Sequence, residues 1–162
     1  MVRSLIRAAL LVVISASCAL PQKYNGPRPP KPDRLYLLHA TNLIETEVTE
    51  AREEKRKDDI AYVVDGASSP AKTPLAEPIF LIECKSIQPE KLQLYRLEVT
   101  KSGKREIVFP GKRRKDGPRP LHLTIKRLGE GIYRVEANEY LPNGEYAISP
   151  EGSNTVFLFQ VY

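Results

Sequence analysis

Apolar and polar residues alternate with a period of two along much of this chain. The pattern is sharpest in the closing stretch, residues 141–162 (LPNGEYAISPEGSNTVFLFQVY). Pro142-Asn143-Gly144 marks a turn, residues 145–149 a short strand, 150–154 a loop and 155–162 a last strand. In that last strand Thr155, Phe157, Phe159 and Val161 share one face. Three of these four are large and apolar, so the face is expected in a core. Val156, Leu158, Gln160 and Tyr162 share the other face, which reads as the solvated outer side of a two-layer sandwich. A terminal strand this apolar must be buried or it becomes an aggregation site. The upstream chain therefore reads as sheet for it to pack against.

Eight further strand candidates precede this hairpin, at residues 34–40, 43–51, 60–64, 79–84, 92–100, 105–109, 121–127 and 132–137. In 43–51 (LIETEVTEA), Ile44, Thr46 and Val48 fall on one face. In 121–127 (LHLTIKR), Leu121, Leu123 and Ile125 do the same. Residues 79–84 (IFLIEC) are apolar nearly throughout, as expected of a strand covered on both sides. The wholly charged octet 52–59 (REEKRKDD) reads as the tip of a long hairpin between 43–51 and 60–64. Glu and Lys at helical spacing would also support a helix through 47–57, but the Thr and Val of the preceding run favour strands. Lys101-Ser102-Gly103-Lys104 is a hairpin turn with Gly available for positive φ, and Gly129-Glu130-Gly131 is another turn. Short strands at about ten-residue spacing predict an all-β fold. The expected architecture is an antiparallel, immunoglobulin-like β-sandwich of about eight to ten strands.

Composition changes this picture mainly at the N-terminus. The 162 residues suggest one domain, and 41% hydrophobic with 28% charged residues is ordinary for a globular protein. Residues 1–19 read as a signal peptide. Arg3 and Arg7 form a basic region, AALLVVI (8–14) an apolar one, and Ser17 and Ala19 the small pair before cleavage. An uncleaved membrane anchor is the alternative, and a lipidated Cys18 a third reading, although Ser15 stands where a lipobox usually has Leu. Residues 20–33 (LPQKYNGPRPPKPD) hold five prolines and read as an extended linker, leaving 34–162 as the sandwich domain. Cleavage lowers the basic count from 25 to 23 against 20 acids, so the mature net charge is +3, a weak argument for a polyanionic partner. Only Cys84 then remains. It can form no internal disulfide, and its apolar strand predicts a buried, inert thiol.

The run Leu141-Pro142-Asn143-Gly144-Glu145-Tyr146 resembles the tyrosine corner of immunoglobulin-like sandwiches, in which a Tyr at the start of a late strand bonds its hydroxyl to backbone just upstream. More broadly, TPLAEP, LQLYRLEV, REIVF and the closing stretch resemble segments of uncharacterised exported proteins of environmental bacteria. That resemblance implies no activity, cofactor or catalytic residue.

Residue chemistry gives little more. His39 and His122 are far apart and lack a Cys or His at ligand spacing. Asp58-Asp59 has no Gly-bearing calcium loop, so neither a metal nor another cofactor is expected. Ser68-Ser69 follows Gly66 without a nucleophile elbow. Gly129 and Gly131 sit in a hairpin and form no phosphate-binding loop. A glycosidase-type carboxylate pair drawn from Glu45, Glu47, Glu83, Glu98 and Glu136 depends on spatial separation, which sequence does not give. The basic loop Lys112, Arg113, Arg114 and Lys115, with Arg119 nearby, is the candidate patch for an anionic ligand. It lacks interleaved aromatics for stacking bases, so no nucleic acid is expected. The expected function is a non-catalytic binding or structural role in the bacterial envelope, periplasmic or extracellular, with an envelope protein or an anionic polysaccharide as partner. Membrane contact would require the lipidated or uncleaved leader. The alternative is a polysaccharide-acting enzyme using paired sheet carboxylates.

Overall fold

The computed structural model describes residues 23–111 and 116–162. The strands in chain order are β1 (Leu35–His39), β2 (Asn42–Glu45), β3 (Glu47–Glu50), β4 (Arg52–Arg56), β5 (Asp59–Asp65), β6 (Lys72–Thr73) and β7 (Ile79–Glu83). They continue with β8 (Leu92–Val99), β9 (Lys104–Phe109), β10 (Leu123–Gly129), β11 (Ile132–Ala137), β12 (Gly144–Pro150) and β13 (Thr155–Val161). A single 3-10 turn, Pro89–Lys91, leads into β8. One sheet has five strands in the order β10-β11-β7-β1-β2. The other has eight, in the order β3-β13-β12-β8-β9-β5-β4, with β6 added beside β13. Neighbours are antiparallel except β6 and β13. The chain is an all-β sandwich.

Alternation sets the main core. Leu35 and Leu37 of β1, Phe80 and Ile82 of β7, and Val135 and Ala137 of β11 face Leu92, Leu94, Tyr146, Ile148, Phe157, Phe159 and Val161 of the second sheet. The expected inward face of the closing strand is therefore the buried one. Phe159 stacks on Tyr146 at 5.5 Å between ring centroids and meets Phe80 edge-on at 4.9 Å. The Tyr146 hydroxyl donates to the Pro142 carbonyl at 2.6 Å, which is the hydrogen bond of a tyrosine corner.

The run 43–51, expected as one strand, is divided. Thr46 leaves the ladder, donating its N–H (3.1 Å) and its hydroxyl (2.7 Å) to the Leu35 carbonyl, and there the chain crosses from the first sheet to the second. Ala51 divides it from β4, donating its N–H to Asn154 O at 2.8 Å. The octet 52–59 contributes most of its length to paired strand, Arg52↔Val63 through Arg56↔Asp59, and only Lys57 and Asp58 form the tip. Lys57 has φ +56° there.

This division has a larger consequence. β3 and β4, the two ends of the second sheet's order, are consecutive pieces of one extended run. β3 pairs with β13 and β4 pairs with β5, so the second sheet closes into a ring of antiparallel strands. The expectation of a solvated outer face on the closing strand is overturned. Val156 and Leu158 are 9% and 0% exposed, packed with Ala51, Val64, Leu97 and Ala147 in a second core inside the ring. Of that face Gln160 is partly exposed and Tyr162, at 61%, is open to solvent.

Residues 23–33 carry no strand. Arg28 pairs with Glu130 in the β10–β11 turn, Lys31 Nζ lies 3.1 Å from Glu45 of β2, and Pro29 is buried. Asp33 accepts from the N–H groups of Lys85, Ser86 and Ile87 and from the Ser86 hydroxyl. Burial raises the Asp33 carboxyl, but these donors outweigh it and hold it below the ordinary carboxylate value.

Candidate functional site

Each strand of the ring sends alternate side chains into its interior, and their exposure changes steadily along the barrel. On β5 the inward residues run Val64, Tyr62, Ile60; on β9 Arg105, Ile107, Phe109; on β8 Leu97, Tyr95, Gln93. Ala147 and Ser149 of β12, Leu158 and Val156 of β13, and Ala51 and Glu53 on the β3–β4 run complete the wall. The first residue of each series is buried and the last is partly or fully exposed, except on β13, where Val156 is buried as well. The interior is thus a cup, sealed at one end and open at the other, with a cavity of about 470 Å3. From Val64 to Ile60 it is about 13 Å deep at ~3.3 Å per residue.

The sealed end is an ion cluster. Arg105 is 1% exposed and bonds both Glu47 carboxylate oxygens at 2.9 Å in a bidentate pair. Its Nε donates to Gly66 O at 2.8 Å, its Nη2 to Asp65 O at 2.9 Å, and Glu145 Oε2 lies 3.5 Å from Nη1. Glu145, 3% exposed, also accepts from the Ser69 N–H at 3.0 Å. The guanidinium is fully used by the protein, so it closes the cup without offering a donor to a ligand.

The open end follows from a short seam. β8 and β9 pair only at Glu98↔Glu106 and Val99↔Arg105, next to the seal. Farther on, the β8 edge takes a bond from Leu121 instead, whose N–H donates to Leu94 O at 2.7 Å. Across the unzipped interval the Tyr95 and Phe109 rings meet edge-to-face at 5.7 Å, and Phe109 meets Tyr62 at 5.9 Å. Three aromatic rings therefore line the mouth. The Tyr95 hydroxyl donates to Gln93 Oε1 at 3.0 Å, and the Tyr62 hydroxyl reaches toward Glu53 Oε2 at 3.4 Å. Burial raises both phenols above their ordinary value, helped at Tyr62 by Glu53 and at Tyr95 by Glu151. At the lip Gly111 N–H donates to Asp59 Oδ1 at 3.1 Å, and a Cβ at Gly111 would come within 2.3 Å of Asp58 O, so only glycine fits.

A second concavity, wider at about 810 Å3, lies at one end of the sandwich between Asp33, Ser86, Lys91, Glu50 and Pro150. Two of its acids are already engaged, Asp33 by the 85–87 turn and Glu50 by the Thr155 hydroxyl at 2.5 Å. It offers less unspent chemistry than the cup.

The sequence-derived candidates among the described residues do not converge. Lys112, Arg113, Arg114 and Lys115 lie outside the described residues, and Arg119 is exposed in the segment before β10. The five strand glutamates are dispersed: Glu45 bonds Lys31, Glu47 holds Arg105, Glu83 lies 3.9 Å from Lys85, Glu136 pairs with Arg134, and Glu98 stands opposite Glu106. His39 bonds the Thr73 hydroxyl at 2.9 Å, and the His122 N–H donates to Glu139. Among the described residues no three His, Cys, Asp or Glu side chains are grouped to hold a metal. Ser69 is a buried structural donor to Leu158 O at 3.2 Å. Cys84 lies just beyond β7 rather than within it, half-buried against the main core. Burial, with smaller contributions from Asp33 and Glu90, pushes its thiol up to about 12. The cup itself was missed. Its one local trace was the alternation of Gln93, Tyr95 and Leu97 against Leu92 and Leu94, which marks β8 as apolar on both faces. Comparison with protein-family models, curated proteins and solved structures gave no match.

Proposed function

We propose that this protein is an exported, non-catalytic binding protein of the bacterial envelope, and that the cup in the curled sheet is its site. The carrying observation is the cup's construction: a sealed floor, apolar walls, and a mouth with three aromatic rings and a few polar groups. Small-molecule sites are built this way and are common in the mouths of β-barrels. The alternative, a two-carboxylate hydrolase, needs carboxyl groups about 5–9.5 Å apart around a bound sugar. Among the described residues lining the cup, Glu53 is the one carboxylate, while Glu47 is bonded to Arg105 and Glu145 is buried 3.5 Å from the same guanidinium, behind the floor. Export is supported by Arg3, Arg7 and the apolar run 8–14.

An uncharged hydrophobic dye such as N-phenyl-1-naphthylamine should bind saturably, one molecule per chain, with a rise in emission. Ala147→Phe and Ala51→Leu fill the cup from two different walls, and each should abolish that binding while leaving the circular dichroism unchanged. Equal dye binding by wild type and both variants would remove the cup from consideration. For export, expression of the full gene in a bacterium should give a mature chain beginning near Leu20. A product that stays in the cytoplasm with residues 1–19 attached would refute it.

A further inference from the structure

Resting on the cup as the binding site, we infer that its ligand is an elongated aliphatic compound, polar at one end only, inserted tail-first to a depth of about ten carbons. Shape argues for this first. A cavity of about 470 Å3 spread over a depth of ~13 Å is roughly 7 Å across, so an occupant that fills it is about twice as long as it is wide. The Arg105 cluster fixes the floor and so bounds the length. At about 1.25 Å per bond along an extended chain, that depth takes about ten carbons. Wall chemistry argues second. The inner wall is aliphatic, made by Ala51, Val64, Leu97, Ala147 and Leu158, which pack with Val156 in one apolar cluster. The rings stand nearer the mouth, where Phe109 meets both Tyr62 and Tyr95 edge-to-face, so the described depth offers dispersion contacts and no ring to stack on. Polar groups of the described lining are engaged or lie at the rim. Arg105 is held by Glu47, Asp65 and Gly66, and the Ser149 hydroxyl lies 3.0–3.2 Å from the carbonyls of Pro150, Ser153 and Thr155. On the inward face of β4, Glu53 stands opposite Tyr62 and Lys55 opposite Ile60, so the described rim carries both signs beside two phenols. Such a rim receives a polar end group without fixing its charge. A polar group carried at the inner end would be buried there without a partner.

Displacement of the dye by straight-chain primary alcohols, from hexanol to dodecanol, reads the depth. Affinity should rise about fourfold per added CH2, the gain from burying one methylene, and stop rising near decanol, where the chain meets the floor. The α,ω-diol of decane should displace the dye at least about tenfold more weakly than decanol, because its second hydroxyl is buried without a partner. Ala51→Val adds bulk at the floor end. It should move the break about one to two carbons shorter and leave the gain per CH2 among the shorter alcohols unchanged, with the circular dichroism of wild type. An affinity that climbs unbroken to dodecanol in wild type, a diol as strong as decanol, or a break that stays at decanol in Ala51→Val would each overturn the tail-first aliphatic ligand. Saturable dye binding would then leave the cup standing as an apolar site. Failure of the dye itself to bind would overturn both readings.

Discussion

Arg105 and Cys84 show how little a residue's type reveals about its role. Arg105 opens the stretch REIVF, which the sequence marks only as a strand. In the fold it is the largest fully buried side chain, with acceptors on Glu47, Asp65 and Gly66 and the Glu145 carboxylate 3.5 Å away, partners drawn from three separate places in the chain. A buried cation is tolerated only when surrounded this completely, and no local pattern reports such an assembly. Cys84 is the opposite case, since an apolar run ending in Cys predicts a quiet thiol by itself. With a thiol pKa of about 12 against an ordinary 9.0, native Cys84 holds about a thousandfold less thiolate at pH 8 than the unfolded chain. A maleimide should label the native protein slower by that order and the urea-unfolded protein at the free-thiol rate. The sign for stability is also fixed. Folding favours the neutral thiol, so its contribution is fully present below pH 9 and is lost as pH rises from 9 toward 12. Equal labelling rates in native and unfolded protein would mean that Cys84 is not shielded.

At the scale of elements, the closing strand was half legible. Phe157, Phe159 and Val161 form the apolar stripe that period-2 alternation places in the sandwich core, and they lie there. The other face carries Val156 and Leu158 followed by Gln160, and two apolar residues ahead of a polar one read as an ordinary outer face. What buries them is the ring, and the ring depends on β3 finding β13 while β4 finds β5. Those pairings lie more than 100 and about 10 residues apart in sequence, and the longer one leaves no trace in the local pattern. The ring's interior also alternates poorly, because Glu47, Glu53, Gln93, Arg105, Glu145 and Ser149 point inward beside the aliphatic residues. Double-sided burial predicts a specific ranking. Phe157→Ala should cost about 3–5 kcal/mol and Leu158→Ala about 2–5 kcal/mol, both far more than Gln160→Ala. The Gln160 side chain is partly exposed and accepts one hydrogen bond from Ser68, at 3.2 Å, so its loss should cost about 1 kcal/mol or less. Urea melts of the three variants measure this directly. A Leu158→Ala variant as mild as Gln160→Ala would mean that the ring is not closed over the strand.

For the whole molecule, the two cores share walls. β8, β12 and β13 present Leu94, Ile148 and Phe157 to the sandwich and Leu97, Ala147 and Leu158 to the cup. Neither core can lose its packing without stripping one face from the same three strands, so the sandwich and the barrel behave as one cooperative unit although each has its own hydrophobic interior. The test uses one variant from each unshared wall, Leu37→Ala in the first sheet and Val64→Ala in the ring. The first should cost about 2–5 kcal/mol and the second about 2 kcal/mol. Unfolding can be followed by far-ultraviolet circular dichroism, which reports all strands, and by tyrosine emission, since the chain has 8 Tyr and 0 Trp. Tyr62 and Tyr95 report on the cup, and Tyr146 reports on the sandwich. Each variant should shift both probes to the same lower midpoint in a single transition. If Val64→Ala moved the emission transition while the dichroism stayed at the wild-type midpoint, the ring would be opening alone. The shared strands would then be held by the sandwich core only, and the cup would be a loosely attached element rather than one wall of the same fold.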